Sequence, residues 1–368
     1  MSDNLRRFSA IKKALKNLYP GEPKGNLARR LHTLAAMING IVGGKSTNLP
    51  KIASKNVDNN KDESRVKSYA RWLQNKYVNF KIFFLPFLEI LIDSLCNQTL
   101  VLAIDSSVIG RGCMCLMINL IYKNRALPLC WIVVKQQKGH LLENIHIHLL
   151  KIVEQIIPSD ANVVLLGDGE FDGIDFQKLI TGYGWKYVCR TAKNTVLYEN
   201  GEEFSFDVVR PTSEWGEDFF SIPNVKFTKE QYGPVHAIVW WKKGYKEPVF
   251  LITNIELAQE ACYYYKKRFK IETFFSDQKS RGFNIDKSHI SDPERLSRLL
   301  IPACLAYIWI VYLGTFAMNK KLYSIIHRTN RCDLSLFQLG LRLLEYFLNQ
   351  MKIIPVNFCM LEFENPFG

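Results

Sequence analysis

The chain has 368 residues, of which 48% are hydrophobic and 23% charged, so its composition excludes wholesale disorder and predicts two or three folded domains. The formal charge of +13 is concentrated in residues 1–80, which hold 16 Lys and Arg against 5 Asp and Glu. A concentrated positive field favours nucleic acid as the partner, with an anionic membrane surface as the less favoured alternative.

The cysteines and the N-terminal residues indicate the cellular compartment in which the protein is expected. The nine cysteines are scattered, and only Cys113 and Cys115 lie close together. This pattern predicts neither a disulfide framework nor a zinc site. The first 19 residues are basic and contain no continuous apolar stretch, so secretion is not expected and a cytoplasmic location is predicted.

Residues 1–97 are predicted to form a basic, all-α DNA-binding domain, with helices over 5–18, 27–41 and 63–77. Nothing in the pattern identifies a recognition helix, and a helical bundle without DNA-binding activity is the alternative. If the domain binds DNA, deleting residues 1–80 should weaken binding and flatten its dependence on salt.

The chain then changes to an alternation of strands and helices. Three short-spaced strands predict a meander, followed by a helix, a fourth strand, a second helix and a fifth strand. The predicted ranges are 99–104, 113–122 and 127–135 for the meander, then 141–157, 162–166, 171–183 and 185–189. Residues 195–253 are predicted to be β-rich, and helices resume over about 256–350, with breaks at Pro293 and Asn319.

Residues 299–316 are nearly uncharged and about as long as a short membrane span. A helix buried between layers of a soluble protein has the same pattern. The second interpretation is favoured because the rest of the sequence has the composition of a soluble protein, and no membrane partner is predicted.

Two aspartates follow predicted buried strands. Asp105 comes directly after the apolar run 100–104, and Asp168 follows 163–166 and a glycine. Adjacent strand ends converge in space, so the two carboxylates are candidates for one site. An aspartate at a strand end is by itself more often a turn or cap residue.

A third acidic candidate lies on a predicted helix. At 100° per residue, Tyr265, Arg268, Glu272 and Lys279 fall within a stripe 60° wide. A solvated face with an Arg268–Glu272 ion pair is the alternative interpretation. The tyrosine at the same angle, together with the two strand-end carboxylates, favours a functional face.

The spacing Y-x2-R-x3-E-x6-K resembles the signature of DDE transposases of bacterial insertion sequences, in insertion-sequence family four. The resemblance covers about residues 98–315. It implies an α/β fold with an RNase H-like mixed sheet flanked by helices, which carries Asp on the first strand, Asp after the fourth, and Glu on a later helix. Asp105, Asp168 and Glu272 fit that order, although Glu170, Asp172 and Asp175 are acidic neighbours of Asp168.

The resemblance also implies a mechanism. Asp105, Asp168 and Glu272 would bind two Mg²⁺ ions, with Mn²⁺ as a substitute, and would cut DNA at the terminal inverted repeats of a transposon. A hairpin intermediate and joining to target DNA would follow, in a homodimer that holds both ends at the bacterial nucleoid. Arg268, Lys279 and Tyr265 would contact the DNA backbone.

A hairpin strains the terminal bases, and an aromatic side chain can stack on a flipped base. Phe269, Trp240 and Trp241 are the candidates for this role, against the commoner interpretation that the tryptophans pack in the core. His140, His146 and His148 lack a suitably placed third zinc ligand and are predicted to occupy surface or capping positions.

Two other functions remain open at this stage: a transposase-derived DNA-binding protein without catalysis, and an RNase H-like nuclease without strand transfer. The predicted division is an N-terminal domain, a catalytic domain in two parts around a β-rich insertion, and a C-terminal helical region. Its boundaries are 1–97, 98–190, 191–255, 256–315 and 316–368.

Overall fold

A computed structural model describes residues 2–19, 21–56, 60–137, 139–209, 218–241, 245–329 and 331–363. The helices are α1 Asp3–Lys16, α2 Gly25–Gly44, α3 Leu49–Ala53, α4 Asp62–Gln74, α5 Phe80–Phe83, α6 Leu85–Asp93, α7 Glu143–Glu154, α8 Ile174–Gly182, α9 Ala258–Tyr265, α10 Lys270–Gln278, α11 Pro293–Asn319, α12 Tyr323–Ile326 and α13 Leu336–Asn349. The strands are β1 Leu100–Gly110, β2 Cys113–Tyr122, β3 Arg125–Val134, β4 Val163–Gly167, β5 Lys186–Arg190, β6 Val196–Glu199, β7 Glu202–Ser205, β8 Asp218–Phe227, β9 Tyr232–Trp241 and β10 Val249–Thr253.

The described strands form one mixed sheet of ten, in the order β3-β2-β1-β4-β5-β10-β9-β8-β6-β7. Strands β1, β2 and β3 are antiparallel neighbours, which confirms the predicted meander. Strands β1, β4 and β5 run parallel; α7 connects β3 to β4, and α8 connects β4 to β5. The predicted β-rich region does not form a separate sheet, because β10 pairs with β5 and continues the sheet.

Strand β1 is longer than predicted. The apolar run ends at Ile104, but Ser106 and Ser107 continue the antiparallel pairing with Leu116 and Cys115 of β2. The backbone hydrogen bonds of β2 therefore extend β1 through polar residues that hydrophobic patterning does not assign to a strand. As a result Asp105 lies inside β1 and not at its end.

Helix α11 is the central helix of the fold. It begins where predicted, with Asp292 accepting a hydrogen bond from the Arg295 N–H at 2.8 Å and with proline as its first residue. It is long and apolar enough to cross a membrane, but 94% of its most apolar stretch is buried within the protein. It packs against α2, α4, α13 and β3, which confirms the prediction of a buried helix.

Glycines allow α11 and α13 to cross closely. A Cβ atom at Gly314 would collide with the carbonyl oxygen of Leu336, and one at Gly340 with the carbonyl oxygen of Ile310. Both obstacles are backbone atoms, so a larger side chain at either position would force the helices apart.

The N-terminal helices share a hydrophobic core with the rest of the chain. Helices α2 and α4 pack on α11, and Arg298 of α11 donates hydrogen bonds to the carbonyls of Leu73 and Val78 at 3.1 Å. Deleting residues 1–80 would therefore expose the core around α11, so the predicted deletion is not a clean test of DNA binding. The domain boundary at residue 97 stays a prediction.

Candidate active site

Asp105 and Asp168 emerge side by side from adjacent parallel strands. The last parallel pair of β1 and β4 is Ala103 with Leu166, and each aspartate follows its partner in that pair by two residues. Neighbouring strands lie about 4.8 Å apart, so the register places the two carboxylates next to each other. The predicted convergence of the two strands is present, although only Asp168 lies beyond a strand end.

One oxygen of each aspartate accepts a main-chain hydrogen bond. The Ser106 N–H donates to Asp105 Oδ1 at 2.8 Å, and the Glu170 N–H donates to Asp168 Oδ1 at 3.0 Å. The pKa of Asp105 is raised to about 7, chiefly by burial; the negative charges of Asp168 and, more weakly, Glu272 contribute to the rise, and Arg268 opposes it. Asp105 therefore interacts electrostatically with both of the other predicted acidic residues.

The segment 265–279 is not the continuous helix that was predicted. Helix α9 ends at Tyr265, residues 266–269 form a turn, and α10 begins at Lys270. The prediction that the four side chains lie within a 60° stripe of one helix is therefore wrong, because the angle of 100° per residue does not hold across the turn.

Arg268, in the turn, connects the acidic residues electrostatically. It is 6% exposed, and its Nη2 donates to Glu272 Oε1 at 2.9 Å. Burial lowers the pKa of its guanidinium, but Tyr265 and the surrounding carboxylates outweigh that effect and raise it. The predicted ion pair exists, but a buried arginine does not belong to a solvated helix face.

Tyr265 and Lys279 flank this cluster. Tyr265 is buried, which raises the pKa of its phenol to about 12, and the Arg268 guanidinium lies 5.8 Å from its ring centre. Lys279 follows α10, and its Nζ donates to Ser107 Oγ of β1 at 2.6 Å. Burial lowers the pKa of that ammonium.

The acidic neighbours of Asp168 have other partners. Asp172 accepts a hydrogen bond from the Thr191 hydroxyl at 2.6 Å, and Asp175 pairs with Lys178 at the surface. Glu170 accepts hydrogen bonds from Ser106 Oγ and from the Leu141 N–H. Burial raises the pKa of Glu170, but the contact with His146 and the hydrogen bonds from Leu141 and Ser106 outweigh that effect and lower it.

The histidines do not form a metal cluster in the described part of the chain. His140 is exposed, as predicted, whereas His146 is buried in α7 with Nε2 3.4 Å from Glu170 Oε1 and its ring against Phe171. The prediction of a surface or capping position is therefore wrong for His146, because α7 turns it inward.

The three aromatic residues predicted as candidates for base stacking differ in how exposed their rings are. Phe269 is 45% exposed, and the Arg268 guanidinium lies 4.7 Å from its ring centre. Trp240 is buried in β9, so its ring faces are not open to a base in this structure. Trp241 is partly buried, and its indole N–H donates to the Tyr245 carbonyl at 3.0 Å.

The donor set suits a hard divalent cation, because carboxylate oxygens are the ligands that Mg²⁺ and Mn²⁺ prefer. The described hydrogen bonds of Asp105 and Asp168 use Oδ1 and leave Oδ2 as a potential ligand. Glu272 is half-exposed and paired with Arg268, and no three described acidic, histidine or cysteine side chains are close enough to hold a metal. Glu272 would have to turn from Arg268 to complete the set.

Residue patterns alone did not identify Ser106 and Ser107. Because side chains alternate across a strand, Ser107 shares the face of Asp105, where it contacts Lys279, whereas Ser106 lies on the other face, where it contacts Glu170. The two hydroxyls following Asp105 were the available signal. Their significance depends on β1 continuing past residue 104.

The described residues form an α/β protein with a mixed sheet flanked by helices, in which two carboxylates lie on adjacent parallel strands near a buried arginine. The chain belongs to the transposase DDE domain family, whose model matches residues 97–309. That membership identifies it as a transposase.

Comparison with solved structures found similarity to one described as the cryo-EM structure of piggyBac transposase synaptic complex with hairpin DNA. The identity is 12%, the match covers 95% of this chain and 81% of the other, and the TM-score is 0.45. At that score the likeness is too distant to support further conclusions. The comparison with curated proteins found no match.

Proposed function

We propose that the chain is an active cut-and-paste DNA transposase in which Asp105, Asp168 and Glu272 hold two divalent metal ions. The observation that carries the proposal is the register of β1 and β4, which places Asp105 beside Asp168, and the negative charge of Glu272 also acts on Asp105. Three crowded carboxylates repel one another unless cations or basic groups neutralise them. Arg268 provides part of that neutralisation in the protein alone.

The proposal includes an RNase H-like catalytic core and membership of insertion-sequence family four. It is supported by an aspartate on the first strand, an aspartate directly after the fourth strand, and a glutamate on a later helix. The full spacing of Tyr265, Arg268, Glu272 and Lys279 adds to this support. The strands β6 to β10 between Asp168 and Glu272 also support the proposal, since a β-rich insertion is expected there in that family.

When bound, Mg²⁺ or Mn²⁺ would activate water and stabilise the leaving oxygen during phosphodiester cleavage. Arg268 is suited to bind a phosphate beside the carboxylates, because a guanidinium offers two parallel donors to phosphate oxygens. Lys279 adds a second positive charge on the Asp105 face of β1. The exposed ring of Phe269 lies next to Arg268, where a base flipped out of a hairpin end can stack.

The partners in this proposal are double-stranded DNA at the terminal inverted repeats and at the target. A homodimer would hold the two transposon ends together, in the cytoplasm at the bacterial nucleoid. The N-terminal helices would contribute to DNA binding through a basic patch on α2 and the region after α4. In this patch the Arg30 guanidinium lies 5.2 Å and Lys76 Nζ 5.5 Å from the ring centre of Tyr77, which is 58% exposed.

Neutralising this patch tests the N-terminal DNA contact without removing core helices. The double variant Arg30→Ala, Lys76→Ala should bind DNA more weakly, because two phosphate contacts are lost. The slope of log affinity against log salt should become less steep by about 2. The control is Lys178→Ala, Lys186→Ala, which removes two lysines already paired with carboxylates. Equal slopes for the patch variant and wild type would remove the patch from the DNA interface.

The central experiment separates the three functions by their products. The wild type and Asp105→Ala are incubated with Mg²⁺ and a supercoiled plasmid carrying the repeats that flank the coding region, and end-labelled strands are resolved on denaturing gels. We expect nicked, hairpin and joined products from the wild type and none from Asp105→Ala. Cleavage without hairpins or joining would indicate a nuclease, and binding without cleavage a DNA-binding protein. Equal cleavage by both proteins would refute the site.

A further inference from the structure

Glu170 makes an unusual set of contacts for a residue outside the proposed metal ligands. Its side chain is 9% exposed. One carboxylate oxygen accepts the Leu141 N–H at 2.7 Å and lies 3.4 Å from His146 Nε2, and the other accepts the Ser106 hydroxyl at 3.0 Å. His140 Nδ1 approaches to 3.8 Å. Partners from β1, α7 and the segment before α7 therefore hold this carboxylate in place.

Glu170 also joins Asp105 and Asp168 through hydrogen bonds. Its own N–H donates to Asp168 Oδ1, while its side chain accepts from Ser106, whose N–H donates to Asp105 Oδ1. An unbroken path of three hydrogen bonds thus runs from one aspartate to the other. The path crosses from β1 to the loop after β4, behind the face on which Asp105 lies.

This geometry matters because the two aspartates repel each other. Asp105 and Asp168 raise each other's energy when both are charged, so the pair tends to separate unless the surrounding structure opposes it. Main-chain hydrogen bonds to each Oδ1 orient the carboxylates, and the Ser106–Glu170 contact couples those two main-chain groups. Groups that orient metal ligands in this way contribute strongly to metal affinity.

We propose that Glu170 is a positioning residue that sets the separation and orientation of Asp105 and Asp168 for divalent metal binding, acting through Ser106. The inference rests on the proposed function, since it requires the two aspartates to be metal ligands. It assigns Glu170 no contact with DNA or with the reacting phosphate. The buried His146 supports Glu170 from the α7 side.

The neighbouring acidic residues show why Glu170 is selected. Asp172 lies two residues further on, but its carboxylate accepts from Thr191 and has no described contact with Ser106. Asp175 lies at the surface and pairs with Lys178. Among the described hydrogen bonds in this segment, only those of Glu170 reach the residue that follows Asp105.

The test measures the dissociation constant of Mn²⁺ from the free protein by calorimetry and, separately, the Mn²⁺ concentration that gives half-maximal DNA cleavage. Both quantities should rise by about 10–100-fold in Glu170→Ala. Ser106→Ala should shift them in the same direction without changing any charge. Glu170→Gln should show a smaller shift than Glu170→Ala, because the amide oxygen still accepts one of the hydrogen bonds. DNA affinity without metal should stay within about twofold.

Asp175→Ala is the matched control, because it removes a carboxylate from the same segment outside the network, and its metal affinity should equal that of the wild type. An effect of Glu170 substitutions without any effect of Ser106→Ala would show that charge alone acts, and would overturn the inference. Unchanged affinity in both Ser106→Ala and Glu170→Gln would also overturn it, even if Glu170→Ala fails to fold.

Asp105→Ala separates this inference from the proposed function. If Mn²⁺ binds equally well to the wild type and to Asp105→Ala, the proposed metal site itself is wrong. If Asp105→Ala abolishes binding while Ser106→Ala and Glu170→Gln retain it, the metal site stands and only the positioning role is lost.

Discussion

Asp168→Asn is expected to reduce DNA cleavage by more than about 100-fold, beyond the 10–100-fold typical for a residue that only supports a metal ligand. The amide keeps the shape of the side chain and can still accept the Glu170 N–H. It lacks the negative charge that a hard divalent cation requires. DNA binding in the absence of metal should be retained, because Asp168 repels phosphate and is not needed to attract it.

The matched control for this variant is Asp175→Asn. It makes the same chemical change seven residues further along, at a surface carboxylate paired with Lys178. Its cleavage rate should lie within about twofold of the wild type, since exposed ion pairs contribute little. Rates are compared at saturating Mg²⁺ on the same plasmid substrate. Comparable losses in both variants would mean that the assay reports general damage to the segment and that Asp168 has no special role.

Arg125→Ala is expected to lower the free energy of unfolding by about 3–5 kcal/mol, the cost of leaving a buried charge without its partner. Arg125, at the start of β3, donates to Asp277 Oδ2 of α10 at 2.8 Å, and both side chains are largely buried. The Tyr307 hydroxyl of α11 lies 3.5 Å from the same oxygen. This contact ties the helix that carries Glu272 to the sheet and to α11.

Urea unfolding of two other variants controls this prediction. Arg328→Ala breaks an exposed pair with Asp333 and should cost less than about 1 kcal/mol. The double variant Arg125→Leu, Asp277→Leu removes both charges and should recover much of the stability lost in Arg125→Ala. If Arg125→Ala costs no more than Arg328→Ala, the buried pair does not anchor α10.

The stability deficit of Arg125→Ala should also depend on pH. Burial raises the pKa of Asp277, and Arg125 opposes that rise. Removing Arg125 therefore raises the pKa of Asp277 further in the folded state, so the folded protein binds this proton more tightly than the unfolded chain does. The deficit relative to the wild type should be largest above the folded pKa and should shrink as pH falls through it. Urea titrations at pH 7 and pH 5 measure the difference.

Patterns of local sequence predicted the elements that carry the site. Apolar runs predicted β2 and β4 within one residue, and the break predicted at Pro293 coincides with the start of α11. Such predictions succeed because hydrophobic periodicity and helix capping act between residues close in sequence. The same local information did not reveal that β1 continues through Ser106 and Ser107, since pairing with β2 determines that extension.

The segment 265–279 shows the limit of calculating side-chain angles for an assumed continuous helix. The spacing of Tyr265, Arg268, Glu272 and Lys279 identified residues that lie near one another, but the turn at 266–269 divides the predicted helix. Arg268 is buried in that turn among three carboxylates, an environment that a helical projection cannot represent. Burial and long-range charge contacts, not local propensity, explain its position.

The sequence by itself determined which residue types are available for the site and the order in which they follow one another: two aspartates after apolar runs, then a glutamate spaced from a tyrosine, an arginine and a lysine. Tertiary structure alone decided that β1 and β4 pair in the register that places Asp105 beside Asp168, that Glu170 contacts Ser106, and that Arg268 is buried near both aspartates. The reason is that strand register and sheet order join residues more than 60 positions apart, and no local periodicity encodes which strands become neighbours.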